Sequence, residues 1–258
     1  MNKNEFLNRF TNKDRLILSN IFDKINLAIK VQVPIYTNEF YTTDICIEVK
    51  KLSTLLGVKI ETYGIFENSE RNMMAFSYEG DNYCYFPLKL IKIENKSKFN
   101  KLSHKDYLGA IMSMGVNRNK FGDLIVIENS CYVAVSEEIA SYILNNLNSI
   151  GKCTCNICEL ELTKSNIPKI KFEELNIIVS SLRLDCLISS ICNISRNRAV
   201  ELINRGNVLL NYVTEKEKDY NVSFGSTITI RGYGKFKLFC DTGVTAKNRI
   251  KILMKKFV

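Results

Sequence analysis

Proline is scarce, three residues in 258, which leaves no proline-rich linker or tail. A hydrophobic share of 46% and a charged share of 24% are those of a folded chain rather than a disordered one. Long apolar runs are missing too. None approaches the roughly 18 residues that would span a bilayer, and Met1-Asn2-Lys3-Asn4-Glu5-Phe6 lacks the uninterrupted apolar segment of a secretory signal. A cytoplasmic protein without membrane contact is the expectation. Histidine occurs once, at His104, with no serine or cysteine arrangement beside it that would mark a nucleophile. Glycine-rich phosphate loops ending in Gly-Lys-Ser or Gly-Lys-Thr are absent, as is any complete metal-binding motif. These absences argue against an enzyme, and neither a catalytic residue nor a cofactor is expected.

Nine cysteines, an odd number scattered through the chain, fit reduced and mostly buried thiols better than a disulfide framework. One cluster, Cys153-x-Cys155-x-x-Cys158, could begin a zinc site, but a closed tetrahedral site needs a fourth ligand and the paired spacing is missing. Alternation puts Cys153 and Cys155 on one face of a strand, and the strand reading is preferred.

Positive charge is present, and it is concentrated. From Ser181 to Val258 there are fourteen Lys and Arg against six Asp and Glu, a surplus of eight out of the whole chain's nine. A basic surplus confined to one end is a footprint for polyanions. Within that stretch Leu184, Leu187, Ile188 and Ile191 stand at i, i+3, i+4, i+7 and predict a short amphipathic helix starting near Arg183. Ser195 can cap a second helix whose apolar stripe is Ala199, Leu202 and Ile203, with Gly206 as a left-handed terminator. Arg196 and Arg198 lie in that helix's first turn, where the dipole disfavours cations; a phosphate bound there would reverse the penalty. Val208 to Leu210 and Thr227 to Ile230 read as short strands. Gly232 and Gly234 bracket Tyr233 between Arg231 and Lys235, a turn that lets backbone approach a ligand with a stacking ring beside it, or a plain hairpin turn.

At these residues the chain resembles a known family. Arg183-Leu-Asp185, Ser195-Arg196-x-x-Ala199 and Ile203-x-x-Gly206-x-Val208-x-Leu-Asn211 resemble the RNA-binding fold first seen in ribosomal protein S-four, the αL motif. With Arg231-Gly-Tyr-Gly-Lys-x-Lys237 the whole arrangement is similar to the bacterial YlmH proteins. Upstream, His104-x-Asp106-x-Leu-Gly109, Gly115-x-x-Arg118-x-x-x-Gly122-Asp123 and Gly64-x-x-Glu67-x-x-Glu70-Arg71 resemble that family's central and N-terminal segments. Phe224-Gly225-Ser226 departs from the Gly-Asp that often precedes the last strand.

The remaining patterns complete an α+β chain of three small domains. Residues 1–82 form a mixed α/β domain: helical patterning through Leu16, Ile17, Ile21, Ile25 and Leu27 to Ile29, a helix from after Phe40 to Leu56 closed by Gly57, a strand at Val58 to Thr62 and a partner at Met74 to Tyr78. Residues 83–165 follow a ferredoxin-like, RRM-like βαββαβ order, with Ser103 to Asp106 as a capping box and Gly115 as a helix end. No Gly-Phe-Gly-Phe stacking pair is present, so RNA recognition does not follow from this topology. Residues 180–258 are the segment that resembles the S-four-type domain.

The expected site is an electrostatic reader of folded RNA. Arg183, Ser195, Arg196, Arg198 and Arg205 serve the two-helix face, and Arg231, Tyr233, Lys235 and Lys237 continue the track along the final hairpin. That expectation requires Arg183, Arg196, Arg198 and Lys235 to share a surface and not to be buried against carboxylates. The resemblance implies a monomeric, ribosome-associated quality-control factor that contacts ribosomal RNA and tRNA on the large ribosomal subunit and holds peptidyl-tRNA during nascent-chain tailing. The alternative is an RNA-modifying enzyme of the pseudouridine-synthase kind anchored by the same module, although Asp185 reads as a capping or ion-pairing residue and not a catalytic one.

Overall fold

The computed structural model describes residues 1–10, 13–78, 85–169 and 172–257. The chain divides into two compact units, Met1–Lys169 and Ile170–Val258. The first unit holds two sheets, each with its own apolar core. The boundary expected at residues 82 and 83 lies outside the described residues.

The first unit opens with helices α1 (Lys3–Leu7) and α2 (Arg15–Val31), then strand β1 (Ile35–Thr42), helices α3 (Thr43–Lys50) and α4 (Ser53–Leu56), and strands β2 (Lys59–Tyr63) and β3 (Arg71–Ser77). The strands pair antiparallel in the order β1-β3-β2. Leu18, Ile21, Phe22, Ile25 and Ala28 form the buried stripe of α2 and pack on Val58, Ile60, Met74 and Phe76, whereas Leu16, Leu27 and Ile29 are exposed. The 3.6-residue period therefore selects the face, and hydrophobicity alone does not.

Strand β1 is not evident from local pattern. Its polar Thr37, Asn38 and Glu39 hide the alternation, and Asn38, at φ +53°, sits where the register slips between Tyr36 and Phe40. Because β1 runs to Thr42, the helix expected from after Phe40 begins only at Thr43, and it breaks at Lys51 and Leu52 before α4. Gly57 closes α4 at φ +68°, as expected.

Next come strand β4 (Leu88–Asn95), helix α5 (His104–Ser113), strands β5 (Phe121–Ile127) and β6 (Ser130–Ser136), helix α6 (Glu137–Asn146), and strands β7 (Ser149–Ile150) and β8 (Cys153–Leu160). The sheet order is β5-β6-β4-β8-β7, all antiparallel. Helices α5 and α6 bury Tyr107, Ile111, Ala140 and Ile143 against Ile91, Ile93, Cys131, Val133 and Val135. The Asp106 carboxylate accepts from both the Ser103 backbone N–H and the Ser103 hydroxyl, each at 2.7 Å, which fixes the start of α5. Gly115 leaves the helix at φ +82°.

The second unit starts earlier than residue 180. Strand β9 (Phe172–Val179) precedes helices α7 (Leu184–Cys192) and α8 (Arg196–Asn204), and strands β10 (Val208–Leu210), β11 (Val213–Thr214), β12 (Thr227–Ile230), β13 (Gly234–Val244) and β14 (Ile250–Phe257) follow. These six strands order as β11-β10-β12-β13-β14-β9, so β9 pairs with the last strand along its whole length. Both helices lie on one face. Leu184, Leu187, Ile188, Ala199, Leu202 and Ile203 share a core with Ile177, Val208, Ile228, Ile230, Phe236, Leu238, Ile252 and Met254. The Ser195 hydroxyl accepts the Arg198 N–H, and after Arg205 the chain turns at Gly206, φ +69°, with Gly206 and Asn207 donating back to Ile203 and Leu202.

Candidate nucleic-acid interface

The C-terminal unit carries its cations on two faces. On the helical side Asp185 is the organising group. The residue is 3% exposed, and its carboxylate accepts from Arg183 Nε at 3.2 Å, Arg183 Nη2 at 3.3 Å, Arg196 Nη2 at 2.6 Å and the Cys186 N–H at 2.9 Å. Burial alone would raise its pKa, but the hydrogen bonds from Arg196 and Arg183 outweigh burial and hold it below the ordinary carboxylate value. Asp185 is thus ion-paired, one of the two roles, capping or ion pairing, that its place at the head of the helix suggested. Around the next turns of α8, Arg198 meets Glu201 at 2.5 Å and Arg205 approaches the same carboxylate at 3.9 Å.

The arginines nevertheless keep much of their surface in water: the side chains of Arg196, Arg198 and Arg205 are 55%, 52% and 63% exposed. Carboxylates do not bury them, although they offset part of the charge. The phosphate suggested for the first turn of α8 has a competitor at each arginine, Asp185 for Arg196 and Glu201 for Arg198.

Arg231 and Tyr233 occupy the turn between β12 and β13, where Gly232 and Gly234 have φ of +87° and +129° and Tyr233 is 42% exposed. Lys235 and Lys237 alternate with the core residues Phe236 and Leu238 along β13 and therefore lie on the face away from α7 and α8. The four residues Arg183, Arg196, Arg198 and Lys235 accordingly do not form a single track. The period-2 geometry of a strand, which sequence spacing alone did not reveal, separates Lys235 from the arginines.

That second face holds residues that no sequence motif marked. Lys235 Nζ stands 5.1 Å from the Tyr212 ring centroid and 5.3 Å from that of Phe257. Lys255 Nζ lies 3.6 Å from the Phe239 ring centroid and 5.8 Å from that of Phe172. Phe172 and Phe257 meet edge to face at 5.0 Å. Lys255 is in register with Lys237 on one side and Glu174 on the other. The signal was the alternation in Ile250-Lys-Ile-Leu-Met-Lys-Lys-Phe257, which marks β14 but not its neighbours.

In the first unit the two upstream motifs converge. The Glu70 N–H donates to Asp123 Oδ2 at 2.7 Å, Arg71 Nη2 to the Phe40 carbonyl at 2.9 Å, and Arg118 Nη1 to the carbonyls of Phe121 and Gly122 at 2.7 and 3.1 Å. Burial and the neighbouring Arg71 charge lower the Arg118 pKa to about 10, against the opposing pull of Asp123, so it stays charged at neutral pH. A Cβ at Gly122 would stand 2.7 Å from the Phe40 ring, so any larger residue there forces the ring to shift. This junction joins the β1-β3-β2 sheet to β5 and is architectural.

Cys153 is buried and Cys155 packs against the same core, while Cys158, of opposite parity on β8, points to the other face. The three thiols therefore do not converge, and among the described residues no His, Cys, Asp and Glu cluster is arranged to hold a metal. No helix among the described residues is long and apolar enough to cross a membrane.

A mixed α+β chain with a cationic terminal unit has the electrostatic footprint of a polyanion-binding class of protein. Comparison with known proteins narrows it. Residues 82–164 match a family described as "Putative RNA-binding domain in YlmH". The chain is 30% identical over 171 residues to the "Ribosome-associated protein quality control protein P2" of Bacillus subtilis (strain 168), a match covering 66% of each chain and so just under two thirds of that relative's length. Among solved structures it resembles "Cell division protein ylmH from Streptococcus pneumoniae", with a TM-score of 0.52, 22% identity, and coverage of 62% of this chain and 97% of the other. The chain belongs to the YlmH family.

Proposed function

We propose that this protein is a non-enzymatic RNA-binding factor of ribosome-associated quality control. In this reading it binds ribosomal RNA and tRNA on the large subunit and stabilises peptidyl-tRNA while a stalled nascent chain is tailed. The central sheet, read as ferredoxin-like from its βαββαβ order, and the C-terminal unit, read as an S-four-type domain from its helix pair and Gly206 turn, supply the RNA-facing surfaces. It works as a monomer in the cytoplasm.

The observation that carries the reading is the concentration of the charge surplus, seven of the chain's nine, in one folded unit, where Arg196, Arg198 and Arg205 remain more than half exposed. Phosphates at backbone spacing suit such guanidiniums, and a face of this kind reads shape more than sequence. The quality-control relative supports the ribosomal assignment.

Co-sedimentation with purified large subunits over a KCl series tests it. Binding is expected to weaken log-linearly with salt, and Arg198→Ala with Arg205→Ala should shallow the slope by about 0.7 to 0.9 for each phosphate that the variant no longer neutralises. Failure to pellet with large subunits at low salt, or a slope unchanged in the folded double variant, refutes the assignment.

A further inference from the structure

We infer that the sheet face opposite α7 and α8 is a stacking platform for unpaired RNA bases, with Phe239 as its exposed ring. The inference deepens the RNA-binding reading and rests on it.

The register of β13 against β14 shifts between Leu238 and Cys240 and leaves Phe239 as the extra residue of a bulge. Bulges re-aim side chains, and here the ring is 44% exposed, although Phe236 and Leu238 on the same strand are buried. Lysines flank it. Lys255 lies over the ring at 3.6 Å, Lys237 is in register with Lys255, and Lys235 reaches Tyr212 and Phe257. Lys251, one register step beyond Leu253, continues the row. Among the described residues Glu174, opposite Lys255, lies on this face; Glu173, of the other parity, engages Lys256. Among the described residues Lys237, Lys251 and Lys255 outnumber Glu174 on this face, and aromatic rings are spaced among the ammonium groups.

Each half of that arrangement asks for something different. Ammonium groups favour phosphates, while an exposed phenyl ring beside a cation favours a flat, polarisable partner. A strand of RNA with unstacked bases offers both at nucleotide spacing, whereas a duplex stacks its internal base faces on one another and offers phosphates, 2′-hydroxyls and groove edges along its length. The helical face is built the other way, with guanidiniums and carboxylates but no exposed ring among its named groups. The two faces therefore divide the labour: backbone contact at α8, base stacking on the sheet.

The chain contains no tryptophan, so Phe239→Trp in the full-length protein places a single indole at the proposed platform. Titration with an RNA hairpin carrying an unpaired loop should quench its emission saturably, and a blunt duplex should bind without quenching. Phe239→Ala should weaken hairpin binding by about tenfold and leave duplex binding unchanged. Hairpin binding seen by anisotropy with unaltered emission overturns the inference, as does an indole already blue-shifted and shielded from iodide in the free protein, which would mean that protein covers the face. If wild type binds neither RNA, the RNA-binding reading itself falls and takes the platform with it.

Discussion

Replacing Asp185 with asparagine tests the ion-paired node at the start of α7. Asparagine preserves the shape and one acceptor oxygen, so the Cys186 N–H and one guanidinium can still be satisfied. The negative charge is removed, and an amide N–H is turned toward guanidinium donors. Hydrogen bonds to a charged group contribute about 1.5–3 kcal/mol each, but the Arg183 and Arg196 side chains are 39% and 55% exposed, and solvent screening lowers their share to that of surface pairs. A net loss of about 1–2 kcal/mol follows, which in a unit of this size lowers the melting temperature by roughly 5–15 °C.

The sign with pH is fixed by the depressed folded pKa of Asp185. The node's contribution is fully present above the unfolded carboxylate pKa, about 3.9, and is lost as pH falls through the lower folded value. Thermal unfolding followed by circular dichroism at pH 7 and pH 2 reads the effect, and hydrogen exchange of the Leu184 and Asp185 amides identifies the transition that carries α7. Equal melting temperatures at pH 7, or a difference undiminished at pH 2, refutes the reasoning.

Gly122→Ala should cost the first unit about 1–3 kcal/mol by overpacking against Phe40 and Ala134, seen as a lower urea midpoint at unchanged slope. Glu201→Gln should tighten RNA binding about two- to fivefold at low ionic strength by releasing Arg198 and Arg205, a gain that fades as salt screens the same charges; fluorescence anisotropy across a salt series measures it.

The helices of the C-terminal unit were legible because burial imposes a 3.6-residue period: Leu184, Leu187 and Ile188 are fully buried and Ile191 packs beside them. Gly206 and Ser195 were legible because caps are local chemistry. Strand β9 was not. Phe172-Glu-Glu-Leu-Asn-Ile-Ile-Val179 mixes acidic and apolar residues, and only pairing with a strand some 80 residues later gives it an identity. The same limit applies to the site. Arg183, Arg196 and Lys235 were visible as cations, but whether they share a surface depends on register, as does the meeting of Lys255 with Phe172 and Phe239. The Glu70-Arg71 and Arg118 to Asp123 motifs stood out in the sequence, yet nothing local indicates that they lie against each other.

The first strand of the C-terminal unit is hydrogen-bonded to its last. During synthesis β9 therefore leaves the ribosome long before the strand that completes its ladder, and until β14 emerges the sheet keeps an open edge and its apolar core cannot close. Acquisition of native structure in this unit accordingly waits for β14, and the nascent segment is left meanwhile to whatever shields incomplete chains.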